Sequence, residues 1–385
     1  MKIGEIGDYI EKIYFSKRNG RSYGLLFLGP PGIGKSTVIE ETAKRIAERL
    51  GKQFVKVAMQ WENGTFKIQG IELDKLLNNS NDYFVFTDFR LTTIEPSDLT
   101  GIPRSRNGIT FYDPMVWAVI HSACEGIIFL DEITWIQRDD IFSIAPQIIL
   151  DKIAGNIKFH PNTLIIAAGN RSEDSSIVRM LHNPLLNRFK IIKVDAPNLE
   201  DWNKFMDTHY DNWDKRVLAF LMRFKDEGYF LKLPKDPEGF DNFPTPRTWS
   251  WLALDLVEGF DRQEDIIGLV GEEVGRKFMA FMKYNIDIND LIANPEKFDQ
   301  LEFDAKYMAI TMLASWLSSN KKKMEAAFPL IDKLSNEKHE YLVLLCMSMN
   351  PKNLQHFIEK LSKHNPKYLE TLYDITVRIK HSISV

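Results

Sequence analysis

The chain has 385 residues, 44% of them hydrophobic and 26% charged, with a formal net charge of −4 at pH 7. That length is too great for one small core and points to two or three domains of ordinary globular composition. The near-neutral balance argues against a chain-wide electrostatic footprint for nucleic acid, and no apolar run is long enough to span a bilayer. The opening MKIGEIGDYIEKIYF lacks a signal pattern, so a cytoplasmic location is expected. Cys124 and Cys346 fit no metal-ligand spacing and read as reduced and structural.

In chain order, residues 24–28 (GLLFL) read as a short apolar strand followed by a glycine-rich turn. A helix then runs through TVIEETAKRIAERL and stops at Gly51, a residue suited to a helix C-terminus. Residues 54–60 (FVKVAMQ) and 83–91 (YFVFTDFRL) both read as strands, and the sequence does not decide which is second in a central sheet. Between them and the next strand lies DLTGIPRSRNGITFYD (98–113), whose Asn107-Gly108 pair flanked by strand-favouring residues predicts a tight hairpin carrying Arg104 and Arg106 near its tip. Residues 126–131 (GIIFLD), 163–169 (TLIIAAG) and 190–195 (KIIKVD) are apolar enough to be buried on both faces. Such strands belong in a parallel sheet covered by helices. From about residue 198 the pattern turns helical throughout, as in WNKFMDTHYDNWDKRVLAFLMRF and AKYMAITMLASWL. The Lys321-Lys322-Lys323 run reads as a solvated helix end.

Three constellations carry chemistry. Gly29-Pro30-Pro31-Gly32-Ile33-Gly34-Lys35-Ser36 satisfies G-x-x-x-x-G-K-[ST], with a strand before it and a helix beginning near Thr37 after it. Glycines let backbone N–H groups curl round a phosphate, and the helix N-terminus adds positive potential. Lys35 would reach the β- and γ-phosphates, and the Ser36 hydroxyl would ligate Mg²⁺. The strand IIFL ends in Asp131 and Glu132, an acid to hold the metal and an acid to polarise the attacking water. Asn170 ends TLIIAAGN, where an amide could position that water or simply favour a turn. Arg188 and Arg247 could each neutralise charge on a transferring phosphate or lie as surface charges, and spacing does not choose.

Taken together, GPPGIGKS, FLDE, the Asn170 strand tip, NRF and PRTW resemble the plan of an AAA+ ATPase. More narrowly, DLTGIP with its hairpin, AAGN and NPLLNRF resemble the MoxR-like ATPases of the dynein-related branch, over about residues 20–260. The resemblance implies a P-loop α/β core with a parallel five-stranded sheet flanked by helices, then an all-helical lid and a C-terminal helical region. With the boundary placed near Pro197 by the change to helical periodicity, the nucleotide-binding domain is 1–197, with hairpin insertions near 99–113 and, by the resemblance, 153–159, and the helical part is 198–385. The resemblance also implies ATP and Mg²⁺ as cofactors, Lys35 and Ser36 as the Walker A pair, and Asp131 and Glu132 as the Walker B pair. Asn170 becomes sensor 1, Arg188 an arginine finger reaching a neighbouring subunit, and Arg247 the sensor 2 arginine. It further implies a ring, in the family a hexamer, working with a von Willebrand factor A domain protein.

Two departures stand out. Thr134 and Trp135 follow FLDE where related proteins often carry Asn-Arg, and Arg171 follows the sensor asparagine where many carry proline. Three functions remain open at this level: ATP-driven remodelling or maturation of a protein partner, a motor on DNA that uses ATP or GTP, and a non-catalytic nucleotide-binding scaffold. Intact Glu132, Asn170 and Arg188 argue against the scaffold. The charge balance and the lack of a nucleic-acid module favour a protein substrate.

Overall fold

The computed structural model describes residues 1–16, 23–62, 65–136, 138–171, 183–234, 241–368 and 372. The chain divides into two compact units, Met1–Ala196 and Pro197–Val385.

The first unit is built on a parallel sheet of β1 (Gly24–Leu28), β2 (Gln53–Lys56), β3 (Tyr83–Arg90), β4 (Gly126–Asp131), β5 (Leu164–Gly169) and β6 (Phe189–Lys193). The spatial order is β6-β1-β5-β4-β3-β2, with every adjacent pair parallel. The inner strands are apolar along their length because helices cover both faces, and β1, β4 and β5 are buried almost throughout. Helices α1 (Ile6–Phe15) and α2 (Lys35–Arg49) belong to one face, and α3 (Val116–Ala123) packs on the other.

Six strands, not five, make this sheet, because both stretches that competed for second place belong to it. YFVFTDFR pairs with β4, and QFVK adds the outer edge. The run read as a strand over 54–60 is broken within itself. Val57 N donates to Phe86 O at 2.8 Å, then Ala58 N turns back to Lys56 O at 2.9 Å. That three-residue turn diverts the chain into a separate antiparallel sheet of Met59–Glu62, Thr65–Ile68 and Ile71–Glu72, which the sequence reading did not foresee.

Ile102–Arg106 and Ile109–Asp113 pair as an antiparallel hairpin closed by Asn107 (φ 54°) and Gly108 (φ 77°). Two positive φ values in a two-residue loop fit the twist of the flanking strands, which is why Asn-Gly occupies it. A second hairpin, Ile153–Ala154 with Ile157–Lys158, turns at Gly155. A Cβ on Gly155 would come within 2.1 Å of Thr100 O, so this turn lies against the root of the first hairpin.

The second unit is helical. One continuous apolar core runs from Trp202 to Leu372, so the helices after residue 260 share it with those before. Among the described residues no helix is long and apolar enough to cross a membrane.

Candidate functional site

The site forms at the C-terminal ends of β1, β4 and β5, where loops leave the sheet. The loop after β1 is rooted on both sides: Gly29 N donates to Gly169 O at 3.2 Å, and Val194 N donates to Leu28 O at 2.7 Å. Gly34 caps α2 at φ 94°, a left-handed conformation open to glycine, and Lys35 is the first helical residue. The N–H groups at the start of an α-helix have no partner within the helix, and with the helix dipole behind them they make a place for an anion.

Lys35 is buried, and its Nζ donates to Gly29 O and Pro30 O at 2.8 Å each and to Asn170 Oδ1 at 3.2 Å. Ser36 Oγ donates to Asp131 Oδ2 at 2.6 Å. The other Asp131 oxygen accepts from Glu132 N at 2.9 Å. Glu132 takes φ 57° and ψ 30°, and its carboxylate accepts from Thr92 Oγ1 at 3.0 Å. Five residues singled out in the sequence, Lys35, Ser36, Asp131, Glu132 and Asn170, thus meet at one place through contacts spanning up to 135 positions.

The structure places Arg188 apart from these five within the same unit. Arg188 precedes β6, and its carbonyl accepts from Gly24 N at 2.9 Å. It lies at the strand-entry end of the sheet, about 16 Å along β1 from the phosphate loop at ~3.3 Å per residue. Arg247 is exposed in the first turn of Pro246–Asp255, a helix of the second unit capped by Thr245.

Three contributors escaped the sequence reading. Thr92 carries no local signal. Thr134 is buried, and its Oγ1 accepts from Asn170 N at 2.9 Å, while its side chain leaves no room for a Cβ on Gly169, 2.6 Å away. The apparent departure after FLDE therefore fixes the strand tip that presents Asn170. Asp88 is an acid inside the otherwise apolar β3, a signal that could have been noticed. Burial, and after it the Asp131 charge, holds its carboxyl above the usual carboxylate range, with Lys56 and Arg90 opposing.

Ser36 and Asp131 offer the hard oxygen donors that Mg²⁺ takes, and Asp88 Oδ1 nearby is buried without a hydrogen-bond partner. Among the described residues no three His, Cys, Asp or Glu side chains form a metal cage. This donor set suits Mg²⁺, which is typically held by one or two protein oxygens and shared with phosphates.

No family model matches the chain. Proteasome-associated ATPases of Mycolicibacterium vanbaalenii and Mycobacterium tuberculosis are similar to it, at 24% identity over 228 residues and 25% over 224. These matches cover 57% and 55% of this chain and 34% of each relative, so the chain spans about a third of the length of the curated relatives it matches. Among solved structures, Aeropyrum pernix ORC2 in ADPNP and ADP complexes aligns over 89% of this chain and 85% of its own, at 14% identity and a TM-score of 0.37. The FIGL-1 AAA domain in complex with ADP aligns over 78% and 85%, at 14% identity and a TM-score of 0.29.

Proposed function

We propose that this chain, an AAA+ ATPase by its phosphate loop, its parallel sheet and its matched relatives, couples Mg²⁺-dependent ATP hydrolysis to remodelling or maturation of a protein partner. The observation that carries the reading is the junction of Ser36 with Asp131 at 2.6 Å beside Lys35 with Asn170 at 3.2 Å, with Glu132 next in the chain. Lys35 and the first turn of α2 bind the phosphates. Ser36 and Asp131 would hold Mg²⁺, which when bound offsets charge on the β- and γ-phosphate oxygens. Glu132 accepts a proton from the attacking water, and Asn170 orients that water. Most of the rate gain comes from positioning and fixed charge.

Arg188 stands too far along β1 to serve its own chain's loop, which supports a finger that acts on a neighbouring copy in a ring. We assign Arg247 to nucleotide sensing from the second unit. In the MoxR-like reading the ring is a hexamer and its partner a von Willebrand factor A domain protein. Mixing Arg188→Ala with Lys35→Ala subunits should restore hydrolysis that each lacks alone; no restoration would remove the finger in trans. Hydrolysis stimulated by duplex or single-stranded DNA, and not by a von Willebrand factor A protein, would move the assignment to the DNA motor.

A further inference from the structure

The strand beside the metal-binding acid carries a carboxylate that this scheme leaves without a task. Asp88 of β3 stands opposite Phe129 of β4, and Arg90 opposite Asp131. Side chains alternate along a strand, so Asp88 and Asp131 project from the same face as diagonal neighbours. Their Cα atoms are then about 8 Å apart, from a strand spacing of ~4.8 Å and a rise of ~3.3 Å per residue. Lys56 of β2, opposite Phe86, projects from that face too.

This is the face that α2 covers, and α2 touches it in two successive rungs. Ser36 donates to Asp131 at 2.6 Å. One turn on, Glu40 accepts from Lys56 Nζ at 2.5 Å. Lys56 is therefore committed to Glu40, and it stands 3.9 Å from Asp88 Oδ2, beyond hydrogen-bonding distance. The other oxygen, Oδ1, is fully buried and has no hydrogen-bond partner. A buried carboxylate oxygen left unpaired is costly, and buried polar groups are as a rule satisfied. What this position lacks is a donor, on the side of the sheet where a divalent cation would sit. Mg²⁺ gives up its waters reluctantly and presents them as donors.

We propose that Asp88 is a positioning residue of the metal–nucleotide site, its free oxygen accepting a hydrogen bond from a water retained by the Mg²⁺ that Ser36 and Asp131 hold. The metal would then be braced from two adjacent strands, by Asp131 of β4 and, through its hydration shell, by Asp88 of β3. The inference rests on the reading of Ser36 and Asp131 as metal holders.

The test uses the full chain with Mn²⁺ as the spectroscopic probe and a non-hydrolysable ATP analogue. Mn²⁺ binding is followed by electron paramagnetic resonance in wild type, Asp88→Asn, Asp88→Glu, Asp131→Asn and Lys56→Met. Asp88→Asn is expected to raise the Mn²⁺ concentration at half-saturation about tenfold, the low end for loss of an outer-shell partner. Its affinity for a fluorescent ATP in EDTA should not fall, and its melting temperature should not drop. Asp88→Glu should lie closer to wild type than Asp88→Asn does. Wild-type Mn²⁺ binding in Asp88→Asn, with binding lost in Asp131→Asn, overturns this inference alone. Wild-type binding in both variants overturns the metal reading beneath it. Equal destabilisation of Asp88→Asn and Lys56→Met with unchanged Mn²⁺ binding makes Asp88 a structural ion partner and also overturns the proposal.

Discussion

Glu132 occupies a left-handed backbone position that costs a non-glycine residue on the order of 1–3 kcal/mol. The strain has a geometric reason. β4 must end with Asp131 against Ser36, and the next residue must turn at once to bring its carboxylate to Thr92 on the end of the neighbouring strand. Thr134, two residues on, then ties the turn to β5 through Asn170 N. Thr134→Val keeps the shape and removes that acceptor, leaving a backbone donor unpaired. It should lower stability by about 1–2 kcal/mol in urea unfolding and slow ATP hydrolysis, while Thr134→Ser should do neither. Equal stability of the Val variant would mean the bond is dispensable. At this scale the sequence announced Lys35, Ser36, Asp131 and Glu132, because each lies in a contiguous motif whose spacing is dictated by the chemistry. It could not announce Thr92 or the task of Thr134, and of Asp88 it showed only an acid within an apolar strand. Their roles arise only when β3, β4 and β5, distant in sequence, end side by side.

Among the elements, β3 links Asp88 beside the site to the chain that leads into the first hairpin. Its far end leads through Thr92 to the short helix Pro96–Thr100 and then into the 102–113 hairpin. Glu95, at the start of that helix, is bridged by Arg138 at 2.6 Å, a residue shortly after Glu132, and Gly155 of the second hairpin abuts Thr100. The first hairpin is thus rooted within reach of the Glu132 turn while its strands stand in solvent. Ile102, Ile109 and Tyr112 are 51%, 70% and 41% exposed, and Arg104 pairs with Asp113 at 2.5 Å. Replacing Arg104 and Arg106 together with alanine should spare basal hydrolysis and impair partner-coupled work; loss of basal hydrolysis would assign them to assembly or catalysis.

On the opposite face of β3, His121 of α3 is fully buried, with Nε2 2.9 Å from Thr87 Oγ1. Burial pushes its pKa down to about 3 from an ordinary 6.5. The unfolded chain therefore binds a proton between pH 6.5 and about 3 that the folded chain refuses, and stability falls as pH drops through that window. His121→Gln should flatten the slope by about 1 kcal/mol per pH unit in urea unfolding between pH 6 and 4. An unchanged slope would contradict the neutral buried imidazole. The hairpin was legible from Asn107-Gly108, and the central strands from their apolar runs. The 59–72 meander was missed although Asn63-Gly64 is the same kind of signal in the sequence; the break at Val57-Ala58 that separates it from β2 carries no glycine or proline, so 54–60 read as one strand.

For the whole molecule, two units share one chain, and Lys35, Ser36, Asp131, Glu132 and Asn170 all belong to the first. Arg188 belongs to that unit, with its backbone at the strand-entry end of β1 beside Gly24, and the proposed finger in trans rests on that separation from its own phosphate loop. The helical unit's single core, from Trp202 to Leu372, was legible only as helical periodicity. Its packing partners are set by long-range burial that no local pattern records. The claim on which the rest depends is that the Glu132 carboxylate activates water at a site assembled by Lys35, Ser36, Asp131 and Asn170. It is tested by comparing ATP turnover and fluorescent-ATP binding in wild type and Glu132→Gln. Turnover should fall by at least about a hundredfold, the low end for removal of a general base, while ATP binding stays intact. Wild-type turnover in Glu132→Gln would contradict the account.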